Sequence, residues 1–262
     1  MEPNLLPEVK GKDNILSLCE MSSEESRHIL FDDAVLHMYN TIYLGSEFCW
    51  EKYNDTDWLW HINFCKKNKI SVFFVIPIIP NRYLKSFERV MAMMYEYRID
   101  GVVVNDPGIL LYIARTFPDL PIVMGRLFVK SSRDFIKYDN KIPPRFPYEV
   151  IELYSLYKCI RIDVDYNVLP CNIEKGIEIG LHSTAYLTST MRCDYKFSRE
   201  KGYATITDKC KQECLTEIIS IPETHMYKLG NSLHFLYKEP VLGCSCTVIH
   251  DYWLFSRVNS DL

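Results

Sequence analysis

Short runs of β-branched and aliphatic residues alternate with longer helical periods along the first two thirds of the chain. Ser71–Ile79 (SVFFVIPII) is apolar on both faces, as expected of a parallel strand covered by helices on either side. Asn81–Arg98 places Leu84, Phe87, Met91 and Met94 at spacings of three and four, which predicts an amphipathic helix with a Met-bearing core face. The same reading predicts strands at Asn14–Met21, Thr41–Leu44, Gly101–Val104, Pro121–Met124, Cys159–Val164 and Gly176–His182. Helices are predicted from Ser22 to about Met38 and over Asp57–Lys69, Pro107–Phe117 and Pro147–Lys158. Ser22, with Glu25 three residues on, has the pattern of a capping box.

Seven strands in alternation with helices call for parallel pairing through crossovers. That rhythm favours an α/β fold, a TIM-like (β/α) barrel, incomplete or distorted, over a doubly wound sheet. No G-x-G-x-x-G follows any strand and no P-loop is present, which weakens a nucleotide-binding alternative. From about Thr190 the rhythm breaks into a cysteine-bearing stretch that runs to Cys214. His225–Glu239 then reads as two strands around a Gly230–Asn231 turn. The expected organisation is one barrel domain over residues 1–262, with 190–262 as a cluster-binding loop and hairpin extension.

Composition narrows the function classes. At 262 residues, 48% hydrophobic and 24% charged, the chain can bury a large core. A formal net charge of −4 without a basic stripe argues against nucleic acid as a partner. The most apolar run, Val72–Pro80, is too short to span a bilayer, and the N-terminus lacks the pattern of a signal peptide. The expectation is a cytoplasmic protein without a membrane span.

Ten cysteines change the picture. In a reducing compartment such a count points to metal binding or catalysis before disulfides. Cys19, Cys65 and Cys159 fall within regular elements and read as small core residues. Cys171 sits in a Pro-Cys-Asn turn, and Cys244 and Cys246 (GCSC) are too close in sequence to share one site easily. Cys193, Cys210 and Cys214 are different: sixteen residues separate the first two and three the last two. Cys49 lies just past the second predicted strand, at the barrel face where C-terminal strand ends gather. The late loop returns to that face, so the four thiolates can converge. Such a quartet suits a zinc tetrahedron or a 4Fe-4S cube, and spacing alone does not choose between them.

Tyr43–Cys49 (YLGSEFC), Val102–Gly108 (VVVNDPG) and the late cysteine triplet together resemble the collagenase-like peptidase U32 family, over roughly Asn14 to Arg257. The resemblance implies a TIM-like barrel and a 4Fe-4S cluster ligated by Cys49, Cys193, Cys210 and Cys214. It also implies a heterodimer with a UbiU-like family member. The pair would form an oxygen-independent hydroxylase acting on a small molecule, an aromatic or quinone precursor, with prephenate as oxygen donor. Three features depart from the family pattern. Ser46 stands where a glutamate usually follows the glycine, with Glu47 one position later; Trp50 and Glu51 follow the cysteine in place of basic or small residues; and Leu242–Tyr252 is short.

Polar residues at strand ends supply the remaining candidates: Glu47, Asn105, Asp106, Arg126, Asp163, Asp165 and His182. Arg126, His182 and Asp163 are the candidate catalytic groups. Arg126 could hold a substrate carboxylate through its planar fork, or brace the barrel mouth by pairing with an aspartate. His182 could transfer protons near neutral pH, or be a satisfied histidine at a strand end. His225, His234 and His250 carry no useful pattern. Two alternatives stand beside the hydroxylase: a U32-type peptidase or other hydrolase, and a non-catalytic partner that stabilises a UbiU-like catalytic subunit. The sequence lacks H-E-x-x-H and G-x-S-x-G motifs, which weakens the hydrolase.

Overall fold

The structure, a computed structural model, describes residues 14–53, 58–132, 147–165, 176–189, 214, 218–221, 226–236 and 247–253. Eight parallel strands close into a barrel: β1 (Asn14–Ser17), β2 (Thr41–Gly45), β3 (Ser71–Ile76), β4 (Gly101–Val104), β5 (Ile122–Met124), β6 (Arg161–Asp165), β7 (Ile179–His182) and β12 (Thr247–Asp251). Neighbours follow chain order from β1 to β7, and β12 closes the ring between β7 and β1. Helices α1 (Ser23–Leu30), α2 (Asp33–Met38), α3 (Trp50–Tyr53), α4 (Trp58–Lys67), α5 (Leu84–Glu96), α6 (Pro107–Thr116) and α7 (Tyr148–Leu156) occupy the crossovers. This is the TIM-like α/β barrel that the strand–helix rhythm predicts.

Several boundaries differ from the sequence pattern, each for a local reason. The predicted Ser22–Met38 helix is two helices, broken at Phe31 and Asp32. Its capping box is present: the Ser22 hydroxyl accepts the Glu25 N–H at 3.2 Å, and the Glu25 carboxylate accepts the Ser22 N–H at 2.9 Å. Leu84 is 38% exposed rather than part of the core face, because Asn81–Tyr83 form a 3-10 turn whose side chains precede the α-helical stripe of Phe87, Met91 and Met94. The sequence pattern predicts seven barrel strands, and the structure has an eighth. β12 lies within the stretch read as an extension, so residues 247–251 belong to the barrel itself.

The core has two shells. Outward-facing strand residues such as Leu16, Leu44, Phe74, Val104 and Ile162 pack beneath the helices. A smaller inner cluster fills the barrel with Ile15, Cys19, Tyr43, Val75, Val103, Val123 and Ile249, and Phe73 packs against it. This division follows from the period of two along each strand. Among these apolar residues the interior also holds ions. Arg161 Nε donates to Asp163 Oδ1 at 2.8 Å, the Tyr43 hydroxyl donates to Asp163 Oδ2 at 2.7 Å, and the Arg161 guanidinium also donates to the Tyr43 oxygen. Gly180 makes the room, since a Cβ there would come within 2.2 Å of Asp163 Oδ1.

A second, antiparallel sheet has the order β8 (Thr184–Ser189), β11 (Ser232–Leu236), β10 (Met226–Leu229), β9 (Ile219–Ile221). The hairpin predicted around Gly230–Asn231 is β10–β11, and Gly230 has φ 53°. β8 begins two residues after β7 ends, so the sheet grows directly from the C-terminal rim of the barrel. In register, Ser189 pairs with Ser232 and Ile219 with Lys228. The chain therefore leaves the sheet after Ser189 and re-enters it at Ile219 on the side where the Gly230–Asn231 turn lies.

Candidate functional site at the barrel mouth

The C-terminal strand ends collect a buried set of charged side chains. Arg126, immediately after β5, is 0% exposed and lies at the centre. Its Nε and Nη2 donate to the two carboxylate oxygens of Glu47, each at 2.7 Å. Nη1 donates to Asp165 Oδ1 at 3.1 Å and to the Thr184 carbonyl at 3.1 Å, and lies 3.7 Å from Asp251 Oδ2. Burial opposes a charge at this depth, and the three carboxylates outweigh it, raising the Arg126 pKa well above its ordinary value. Burial pushes the Glu47 carboxyl up, with Arg126 pulling the other way. The two short contacts with a charged guanidinium hold the two groups as an ion pair.

Asp251, at the end of β12, is the second organising group. Its carboxylate meets His182 Nδ1 at 3.0 and 3.1 Å and accepts the Thr184 hydroxyl at 2.6 Å. Burial would raise its pKa, but His182, Arg126 and the Thr184 hydroxyl together hold it well below the usual carboxylate range. His182 ends β7 beside Asp165 of β6, its partner in register.

The loop carrying Cys49 is fixed from beneath. Gly45 ends β2 with φ 108°, and a Cβ there would meet the Val75 carbonyl oxygen at 2.4 Å, so only glycine allows this turn. Glu20 has a left-handed backbone, φ 63°, unusual for a residue with a side chain. From there its Oε1 accepts the Ser46 hydroxyl at 2.6 Å and the Glu47 N–H at 2.9 Å. Lys52 Nζ lies 3.6 Å from Glu20 Oε2. The Ser46 hydroxyl in turn accepts the Cys49 N–H at 3.1 Å. From above, Asn231 Nδ2 in the β10–β11 turn donates to the Phe48 carbonyl at 2.8 Å. His234 packs edge-on against both Phe48 and Trp253, with ring centroids 5.2 and 4.9 Å apart.

The sequence candidates separate in space. Glu47, Arg126, Asp165 and His182 meet at the mouth, whereas Asp163 lies deeper, engaged with Tyr43 and Arg161. Asp106 caps α6, accepting the Gly108 and Ile109 N–H groups. Asn105 Nδ2 donates to the Ile76 carbonyl, and its Oδ1 accepts the Leu127 N–H. The Arg126 fork grips Glu47, and its remaining terminal nitrogen donates to Asp165 and Thr184. Sequence reasoning missed Glu20, Ser46, Lys52, Thr184 and Asp251. Asp251 had a usable signal: Thr247, Ile249 and Asp251 alternate with Val248 and His250, a short strand ending in a carboxylate as β6 does.

The cysteines also separate. Cys19, Cys65 and Cys159 are buried, and burial pushes the Cys65 and Cys159 thiols up to about 12 and Cys19 well above its ordinary value. They pack as small core residues, as expected. Cys49 and Cys214 are half-buried. Cys193 and Cys210, like Cys171, Cys244, Cys246 and His225, lie outside the described residues. Among the described residues no group of three or more His, Cys, Asp or Glu side chains is arranged to hold a metal ion. Among them too, no helix is long and apolar enough to cross a membrane.

Fold and site thus define a TIM-like barrel whose C-terminal mouth carries a buried ionic array under an antiparallel sheet. Residues 38–127 match the model of peptidase family U32, a stretch that includes Glu47, Cys49 and Arg126 but none of the late cysteines. No curated protein matches the chain. A solved structure described as the U32 Peptidase Mk0906 aligns at 15% identity and a TM-score of 0.42, over 72% of this chain and 74% of that one.

Proposed function

We propose that the chain is a cytoplasmic UbiV-like protein, the iron–sulfur subunit of an oxygen-independent hydroxylase that acts on an aromatic or quinone-precursor substrate. In this reading Cys49, Cys193, Cys210 and Cys214 hold a 4Fe-4S cluster, and a UbiU-like protein completes a heterodimer. The observation that carries it is the Asn231–Phe48 hydrogen bond. It joins the Cys49 loop to the β10–β11 turn, near which β8 ends at Ser189 and β9 begins at Ile219; the three other cysteines lie between those two positions in the sequence. The half-buried setting of Cys49 and Cys214, against the buried setting of Cys19, Cys65 and Cys159, fits ligand thiols on one side and packing thiols on the other.

When bound, the cluster supplies one-electron chemistry. The chain's own residues shape its setting. Ser46 holds the Cys49 backbone, and Glu20 fixes Ser46. Arg126 anchors Glu47 two residues before Cys49. A second reading draws on the Arg126 fork. Arg126 donates to Glu47, Asp165 and Thr184, so among the described residues the mouth offers a carboxylate donor such as prephenate no uncommitted guanidinium fork. That favours a stabilising partner whose UbiU-like companion binds the donor.

Anaerobic purification followed by iron and sulfide analysis tests the cluster. About four of each per chain, with a brown colour, is expected. Colourless protein carrying zinc ends the reading. Cys210→Ala bleaches the cluster and lowers stability, since ligation and folding are coupled. Prephenate binding measured on each isolated subunit and on the pair separates a catalytic chain from a stabilising one.

A further inference from the structure

We infer that His182 and Asp251 form an acid–base dyad serving a ligand that enters the barrel mouth, with His182 Nε2 as the proton-transferring atom and Asp251 as a positioning residue. Nδ1 of His182 is committed to the Asp251 carboxylate at 3.0 Å. That carboxylate is itself fixed by the Thr184 hydroxyl at 2.6 Å and by the Thr184 N–H at 3.3 Å. Because Asp251 stays ionised, the neutral imidazole keeps its proton on Nδ1 and presents a lone pair at Nε2. His182 is 3% exposed, and no hydrogen bond joins its Nε2 to any described residue. A histidine kept only for packing gains nothing from a carboxylate that sets its tautomer and turns the other ring nitrogen away from every described partner.

The charges facing His182 define the ligand class. Asp251 comes from β12, Glu47 from the loop after β2, Asp165 from β6 and Arg126 from the segment after β5. Among the described residues, three carboxylates meet one guanidinium here, whose N–H groups donate to Glu47, Asp165 and Thr184. The mouth therefore rejects an anion and accepts a neutral molecule with an O–H or N–H donor. In the transfer the ligand's bond to hydrogen breaks and its heavy atom keeps the electron pair. The proton forms an N–H bond at Nε2, giving an imidazolium stabilised by Asp251. Its return restores the neutral ring, so no oxidant or reductant takes part. The dyad uses none of the cysteines and stands whether or not they hold iron.

Three measurements on the full chain test this. Nitrogen-15 spectra of the wild type should show neutral His182 protonated on Nδ1; an Nε2–H tautomer overturns the dyad. Site-resolved mass spectrometry after bromoacetamide treatment should find His182 alkylated at Nε2, with the exposed His28 and His37 as internal standards. Bromoacetate, of similar size but anionic, should react at least tenfold more slowly at His182 than bromoacetamide, relative to those standards. Equal rates, or no reaction at His182 with either reagent, remove the proposed site. Finally, Asp251→Asn should move neutral His182 toward the Nε2–H tautomer, because Thr184 holds the amide oxygen and the amide N–H group then donates to Nδ1. An unchanged tautomer in folded Asp251→Asn protein denies Asp251 its role. If that variant does not fold, the two wild-type measurements decide.

Discussion

Two buried arginines lie in one barrel and have opposite surroundings. Arg161, deep in the interior, faces one aspartate and one tyrosine hydroxyl, and cation and anion balance. Arg126, at the mouth, faces Glu47, Asp165 and Asp251, with His182 beyond. The deep pair closes on itself and joins strands β2 and β6 alone. The mouth array joins the Cys49 loop, β6, the root of the second sheet and β12. An ion pair that serves only packing needs no surplus of charge, because desolvating each further carboxylate costs free energy. Among the described residues the mouth sets three carboxylates against one guanidinium, an arrangement that packing alone does not require.

Removing the central cation should have the largest effect. Arg126→Met leaves three carboxylates buried without their partner and should cost about 3–5 kcal/mol in urea unfolding. A loss below about 1 kcal/mol would show that the three carboxylates do not depend on Arg126. Acid should come next, and here His250 isolates the outer face of β12 from its inner face. Burial pushes its imidazole down to about 4, with Asp251 opposing. Between its ordinary value of 6.5 and about 4 the unfolded chain binds a proton that the folded chain does not. Stability should therefore fall on acidification through that window, by up to about 3 kcal/mol. His250→Gln should flatten this slope, as read from urea midpoints at pH 7 and pH 5.

Gly180→Ala drives a methyl against Asp163 and should cost about 1–3 kcal/mol, leaving the reactivity of His182 unchanged. Asn231→Ala removes the bond to the Phe48 carbonyl and should cost about 1 kcal/mol, with a larger effect on iron retention than on the melting temperature. Smallest of all should be the joint replacement of the deep set by Arg161→Met, Asp163→Leu and Tyr43→Phe. Removing cation, anion and hydroxyl together leaves nothing buried and unpaired, so stability should stay within about 1 kcal/mol of wild type. A large loss there would show that the deep pair does more than fill space.

The sequence by itself determined the alternation of strands and helices. Apolar runs at Ser71–Ile76 and Gly101–Val104, the Phe87–Met91–Met94 stripe and the Ser22–Glu25 box are local signals, and each has its physical reason within one turn or one strand. It also marked Glu47, Arg126, Asp165 and His182 as strand-end groups, because polarity following an apolar run is visible in one dimension. It set Cys19, Cys65 and Cys159, within regular elements, apart from Cys49, Cys193, Cys210 and Cys214 by their place in the pattern and their spacing. Only the tertiary structure decided which of these groups face one another. It put Asp163 deep and Asp165 at the mouth, although only Val164 separates them, because the pleat points both inward at different heights along β6. It brought Asp251 to His182 across 69 residues by closing the barrel with β12, a strand that lies beyond the break in the strand–helix rhythm. And it gave Arg126 to Glu47 rather than to a ligand, since that choice depends on distances and burial that no spacing along the chain encodes.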